Sequence, residues 1–194
     1  MNTTIEYYNK NAKEYAQATR SIDMQAVYDH FEKYLLPNSY ILDVGCGSGR
    51  DAKHFRELGH TLLGIDPSSE LCKEAEQFAD IKVINLSVEE MDYIERFDAV
   101  WACASLLHVK KEHLDIALHK IAASLVNEGI LYTSWKSGKG ERIENGKYYQ
   151  DFLPETIREV INKTDLFDVL EIWESKEERN GNHIKWTNAI VRKK

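Results

Sequence analysis

Only three cysteines occur in this chain of 194 residues, Cys46, Cys72 and Cys103, and none stands in a CxxC pair. That argues against a disulfide framework and a cysteine-based zinc site, and it predicts a reducing compartment, with the cytoplasm as the expected location. Basic residues are also scarce: 25 lysines and arginines against 32 aspartates and glutamates leave a net charge of −7. A broad nucleic-acid-binding face needs a basic footprint, so nucleic acid is not the expected partner, although a local basic patch stays compatible with this balance. No apolar run approaches membrane-spanning length, and Met1 to Tyr7 lacks the charged-then-apolar pattern of a signal segment. Repeats, linkers and low-complexity stretches are missing as well. A single domain over residues 1–194, monomeric or homodimeric, is the simplest expectation.

Against these absences stands the stretch Ile41-Leu-Asp-Val-Gly-Cys-Gly-Ser-Gly-Arg-Asp51. Strand-like residues from Tyr40 to Asp43 run into Gly45, Gly47 and Gly49, and a helical pattern begins at once, from Asp51 to Leu58. Glycine reaches backbone angles closed to other residues and has no side chain to hold a ligand away. A strand, a glycine turn and a helix start are expected to offer bare amide groups to a polar ligand. A dinucleotide fold is the competing reading. Its GxGxxG fingerprint fails here, because Arg50 stands where the third glycine belongs.

The rest of the chain supplies the architecture. A tyrosine-rich segment, Ile5 to Tyr15, and a helical stretch from Asp23 to Leu36, with Asp23 as its N-cap, precede the first strand. Alternation then begins, with strands over 40–45, 61–66, 81–85, 97–103 and 130–135. Helices are expected over 49–58, 69–79 and 111–126, with Gly59 closing the first and Asn127 to Gly129 a turn. Strands alternating with helices indicate a parallel sheet covered on both faces. A loop rich in glycine and charge, Lys136 to Tyr149, leads to a helix over 154–162. Runs 167–174 and 183–191 follow, separated by a turn too short for a crossover, so they form an antiparallel hairpin.

Spaced as GxGxG behind Asp43, the glycine stretch resembles the first motif of class I S-adenosylmethionine-dependent methyltransferases. Within that family the chain looks like the small bacterial type related to the tellurite-resistance methyltransferases. The resemblance implies a doubly wound, mostly parallel seven-stranded α/β sheet with a C-terminal antiparallel hairpin. Residues 1–36 are then a helical lid, 37–135 the cofactor core, and 136–194 the substrate-side loop, helix and hairpin. It implies S-adenosylmethionine as cofactor, direct displacement at the sulfonium methyl, and no metal.

Residue by residue, the resemblance assigns the cofactor to Asp43, Gly45, Cys46, Gly47, Gly49, Asp66, Pro67, Ser87, Val88 and Tyr15. Asp66 ends the second strand, where a carboxylate accepts both hydroxyls of a ribose; its alternative role is to cap the helix behind Pro67. Asp43 holds the amino-acid end of the cofactor or merely orients the loop. Ser87 departs from the family, which often carries an acidic residue there for the adenine amino group. His108, in Ala104-Ser-Leu-Leu-His-Val109, is the candidate catalytic group, with a structural role at a strand–helix junction as the alternative. Tyr8, Arg20, Lys136, Arg142 and Tyr148 are candidate acceptor-side residues, or else a packed helix and a solvated loop. Tyrosine faces on the lid suit a sulfonium cation. Three readings follow: a small-molecule methyltransferase, an RNA or protein methyltransferase, and a non-catalytic cofactor-binding domain. The Asn/Asp-Pro-Pro-aromatic motif of some base methyltransferases is not matched by Ala102 to Ser105.

Overall fold

The computed structural model describes residues 3–179 and 181–194; Met1, Asn2 and Asn180, which the expected lid and hairpin turn include, lie outside the described residues. Two helices, α1 (Thr3–Arg20) and α2 (Gln25–Glu32), precede β1 (Tyr40–Val44). The alternation runs α3 (Arg50–Glu57), β2 (Thr61–Asp66), α4 (Ser69–Ala79), β3 (Lys82–Asn85), β4 (Phe97–Ala102), α5 (Lys111–Ser124) and β5 (Leu125–Lys136). A hairpin, β6 (Gly140–Glu144) and β7 (Lys147–Asp151), then leads to α6 (Pro154–Thr164), β8 (Phe167–Arg179) and β9 (Asn182–Lys193).

Seven strands form one sheet in the order β3-β2-β1-β4-β5-β9-β8. The first five pair in parallel, and β9 enters antiparallel to both β5 and β8. The expected doubly wound sheet with its closing hairpin is therefore what forms. The chain winds outward from β1 to β3 and returns to place β4 on the other side of β1. In such sheets the crevice at that reversal, outside the carboxyl ends of the strands, is where ligands bind.

Period-two alternation divides the core between the two faces. Leu42, Val44, Leu63, Ile65 and Val100 pack with Leu114, Leu118 and Ile121 of α5 and Ile157 and Ile161 of α6. On the other face Ile41, Leu62, Ala99, Trp101 and Tyr132 pack with Val27 and Phe31 of α2 and Phe55 of α3. Trp101 stacks on Tyr132 with ring centres 4.0 Å apart. Each such side chain, fully buried, contributes roughly 1.5–3 kcal/mol, so coverage of both faces holds the sheet. No described helix is long and apolar enough to cross a membrane.

Four local expectations are corrected. Residues 136–149 are not an open loop, because β6 and β7 pair in register, with Ile143 opposite Tyr148 and Glu144 opposite Lys147. Their turn is Asn145-Gly146, both at positive φ (51° and 78°), the pairing geometry that favours two-residue hairpins. The turn at 127–129 survives only as an irregularity inside β5, where Glu128 takes φ 63°. Helix α2 stops at Glu32, short of Leu36. Its cap position is Met24, and Asp23 instead accepts from the Gln25 amide at 2.9 Å.

Candidate active site

The glycine loop joins β1 to α3 with all three glycines at positive φ: 70° at Gly45, 54° at Gly47 and 77° at Gly49. Two of them also pack. A Cβ on Gly45 would lie 2.5 Å from the Ser105 Cβ, and one on Gly49 would lie 2.9 Å from the Ala75 backbone. At Gly47 a Cβ would meet the Tyr15 ring first, at 3.5 Å, an ordinary van der Waals distance. The first and third glycines therefore bring β4's exit and α4 against the loop, while the second leaves room beneath Tyr15. Gly49→Ala combines a left-handed backbone, at about 1–2 kcal/mol, with overpacking at about 1–3 kcal/mol. Its melting temperature is expected to fall by roughly 5–15 °C in a thermal unfolding scan; a change within error would mean α4 can retreat freely.

The expectation of bare amides is corrected here. Gly45 and Cys46 donate to the Ile65 carbonyl (2.8 and 3.1 Å), Gly49 to that of Cys46 (2.9 Å), and Gly47 to the Asp66 carboxylate (3.0 Å). A buried N–H must find an acceptor. The loop's contribution is thus shape and room more than free donors.

Asp66 is 5% exposed and accepts from Gly47 through one oxygen and from the Ser68 amide, at 2.8 Å, through the other. Burial raises its pKa to about 6 against the opposing pull of these two bonds. The capping role falls instead to Ser68, whose hydroxyl accepts from Leu71 at the start of α4. Asp43 lies at 2% exposure, with one carboxylate oxygen, Oδ2, buried and unpartnered. Burial, with the Asp51 carboxylate adding to it, pushes its pKa up while Arg50 opposes. An orphaned buried oxygen beside the glycine loop fits the ammonium of an amino-acid-bearing cofactor. Carboxylates at the ends of β1 and β2 with a glycine floor between them suit S-adenosylmethionine.

A cavity of about 120 Å³ opens over this floor. Gly45, Gly47, Asp66, Pro67, Ser87 and Val88 border it, and so do Tyr8, Tyr15 and His108. Residues unforeseen as wall include Thr4 and Ile5 of α1, Leu71, Leu86 and Ser105. Asp43, Cys46 and Gly49, also expected at the cofactor, do not border it. Ser87 turns its hydroxyl to Glu90 at 2.7 Å.

Helix α1 roofs the cavity. Its Asn9 accepts from the Ser68 hydroxyl at 2.8 Å, tying it to α4. Arg20 donates to the carbonyls of Ser48 (3.2 Å) and Glu74 (2.9 Å) and lies over Phe78. Arg20 is therefore a clasp for the lid and does not border the cavity. Thr4 ties the other end of α1 to β7 by accepting from the Tyr148 amide at 3.0 Å. Asn11 breaks the helix between these anchors, at φ −114° and ψ 17°.

Lys136, Arg142 and Tyr148 also stand outside the cavity wall. Lys136 pairs with Glu144 at 3.7 Å, and Arg142 with Asp151 and Glu144. Both cations lie over the Tyr149 ring, and the Tyr148 hydroxyl accepts from the Lys111 amide. These residues brace the β6–β7 hairpin behind His108. His108 itself sits in a single 3-10 turn, Leu106–His108, after β4. Its Nε2 lies 2.9 Å from the Tyr8 hydroxyl and its Nδ1 2.7 Å from the Tyr148 carbonyl oxygen.

Residues 41–129 match the family model described as a methyltransferase domain. The ubiquinone biosynthesis O-methyltransferase of Rhodopseudomonas palustris (strain TIE-1) is 36% identical over 107 residues, covering 50% of this chain and 42% of the relative. The chain thus spans less than half the length of the curated relatives it matches. The Burkholderia thailandensis 1,6-didemethyltoxoflavin-N1-methyltransferase superposes with a TM-score of 0.80 at 20% identity, covering 97% of this chain and 86% of that one. The [4+2]-cyclase SpnF superposes at 0.75 with 17% identity, covering 97% and 94%. A shared fold therefore does not by itself fix the reaction. The match over residues 41–129, the strand order and the glycine loop closed by Asp66 give this chain the fold of class I S-adenosylmethionine-dependent methyltransferases.

Proposed function

We propose that this chain is an enzyme that binds S-adenosylmethionine and methylates a small-molecule acceptor by in-line displacement. The observation that carries this reading is the single cavity in which the glycine loop and Asp66 meet Tyr8, Ser105 and His108 under α1. Bound S-adenosylmethionine would supply a sulfonium methyl, electrophilic enough to need no covalent help from the protein. Asp66 then accepts from the ribose hydroxyls, Asp43 from the ammonium, and the Tyr8 and Tyr15 rings face the cation. The acceptor occupies the side toward His108. What the chain contributes is proximity, orientation and exclusion of water, the last through the α1 roof. A cavity of about 120 Å³ under α1 and an acidic chain favour a small acceptor over a polynucleotide.

S-adenosylhomocysteine is expected to raise the melting temperature of the purified protein. Labelled S-adenosylmethionine, incubated with small-molecule and RNA extracts, is expected to mark the small-molecule fraction. No thermal shift would sink the cofactor assignment, and label in RNA alone would replace the acceptor class. His108→Ala is expected to slow turnover more than it weakens cofactor binding; unchanged turnover would return His108 to a structural role.

A further inference from the structure

Tyr8 and His108, 100 residues apart, form a hydrogen-bonded chain whose direction is set by its last member. The Tyr148 carbonyl oxygen, 2.7 Å from Nδ1, can only accept, so Nδ1 carries the hydrogen. A neutral imidazole has one N–H. Its Nε2 therefore presents a lone pair, and the Tyr8 hydroxyl, 2.9 Å away, spends its one proton there. His108 stays neutral near pH 7, because burial pushes its pKa down to about 4 and Lys147, Lys136 and Arg142 push the same way. Tyr8 keeps its proton, since burial raises its pKa, with Tyr15, Tyr149, Asp66 and Tyr7 adding to the rise. Toward the cavity the Tyr8 oxygen then has lone pairs and no hydrogen to give.

We propose that this chain selects an acceptor whose nucleophilic atom arrives protonated, as a neutral hydroxyl or an amine N–H that donates to the Tyr8 oxygen, and that it disfavours acceptors arriving as bare anions. The proposal rests on the methyltransferase reading above and adds the acceptor's protonation state. For a hydroxyl acceptor the atoms balance. Its oxygen lone pair forms the new bond to the methyl carbon as the carbon–sulfur bond breaks and that electron pair goes to sulfur. The hydroxyl proton passes to Tyr8, the Tyr8 proton passes to His108 Nε2, and the imidazolium releases it to solvent. One positive charge leaves sulfur and one appears on the imidazole, so the reaction moves a cation within the cavity and creates none. A weakly basic histidine suffices for that. Tyr8 is the catalytic contact, and His108 acts through it as a positioning residue.

Two measurements on the whole protein test this. Nitrogen NMR of histidine-labelled protein saturated with S-adenosylhomocysteine is expected to find His108 with Nδ1 protonated and Nε2 bare; a proton on Nε2 would overturn the proposal. In the second, labelled S-adenosylmethionine is offered to catechol, aniline, iodide and thiocyanate. Catechol or aniline is expected to take up label at least tenfold faster than either anion, and Tyr8→Phe to slow that uptake at least tenfold while keeping the S-adenosylhomocysteine thermal shift. Faster labelling of iodide or thiocyanate would overturn the proposal and leave the methyltransferase reading intact. Absence of the thermal shift in wild type would instead remove the reading beneath it.

Discussion

Alanine in place of Asp66 will remove most of the rise in melting temperature that S-adenosylhomocysteine gives the wild-type protein. The carboxylate ends β2, is buried, and holds the amides of Gly47 and Ser68. Hydrogen bonds to a charged group contribute about 1.5–3 kcal/mol, so losing those to a ribose weakens binding by roughly 10- to 150-fold. The Gly47 amide also loses its partner, which loosens the loop floor. The pKa near 6 adds a pH signature. In the free protein the native state holds more protons than the unfolded chain between 3.8 and about 6. This group's contribution to stability therefore falls as pH rises through that window. Ribose hydroxyls donate to the ionised form, so binding releases a proton below about pH 6 and affinity climbs with pH up to that point. Titration calorimetry between about pH 5 and 7 in buffers of different ionisation heat reads that proton directly. Asp66→Asn should lose the dependence. A flat affinity profile in wild type would refute the assigned contact.

Replacing Asp51 with alanine will lower stability more than any other single change considered. Asp51, in the first turn of α3, accepts from the Tyr28 hydroxyl (2.5 Å), the Trp101 indole (2.9 Å) and two nitrogens of Arg50 (2.6 and 2.9 Å). The group thereby joins α2, α3 and β4. Burial works to raise its pKa, and Arg50, with the bonds from Tyr28 and Trp101, outweighs that and holds it below the ordinary carboxylate value. Removing one partner of a buried ion pair strands the other and costs about 3–5 kcal/mol. For a domain of this size that is roughly 6–20 °C in melting temperature. The sign with pH is opposite to that of Asp66. A depressed native pKa gives stability that is full above the unfolded value and is lost as pH falls through the native one, so this contribution should start to fall below about pH 4. Thermal scans of wild type and Asp51→Ala at neutral and acid pH check both parts. A loss under about 1 kcal/mol would mean the network contributes little.

Arg50 links the second prediction to the reading of the motif. A dinucleotide fold requires glycine at this place so that helix and strand pack closely. Here an arginine is kept mostly buried and bound to Asp51, so the mismatch in the pattern corresponds to a structural role. Asp66 was legible for a similar reason, because strand end and following turn are both local signals. The β6–β7 hairpin had a local signal too, in Asn145-Gly146. Its charged, alternating flanks resemble a solvated loop, since this two-stranded sheet has no apolar face of its own to announce it.

Residue order alone determined the alternation, the sheet's antiparallel finish and the glycine loop with its two carboxylates. Each depends on periodicity or on backbone angles that a few adjacent residues dictate. Only the tertiary structure decided where the loop amides go, that Lys136 and Arg142 brace a hairpin, and that Tyr8 meets His108 against the Tyr148 carbonyl. Those contacts join segments far apart in the chain, and no local pattern encodes them. They exist because α1 closes over the cavity and β7 packs against the 3-10 turn after β4, bringing groups with unmet hydrogen-bonding needs into reach of one another.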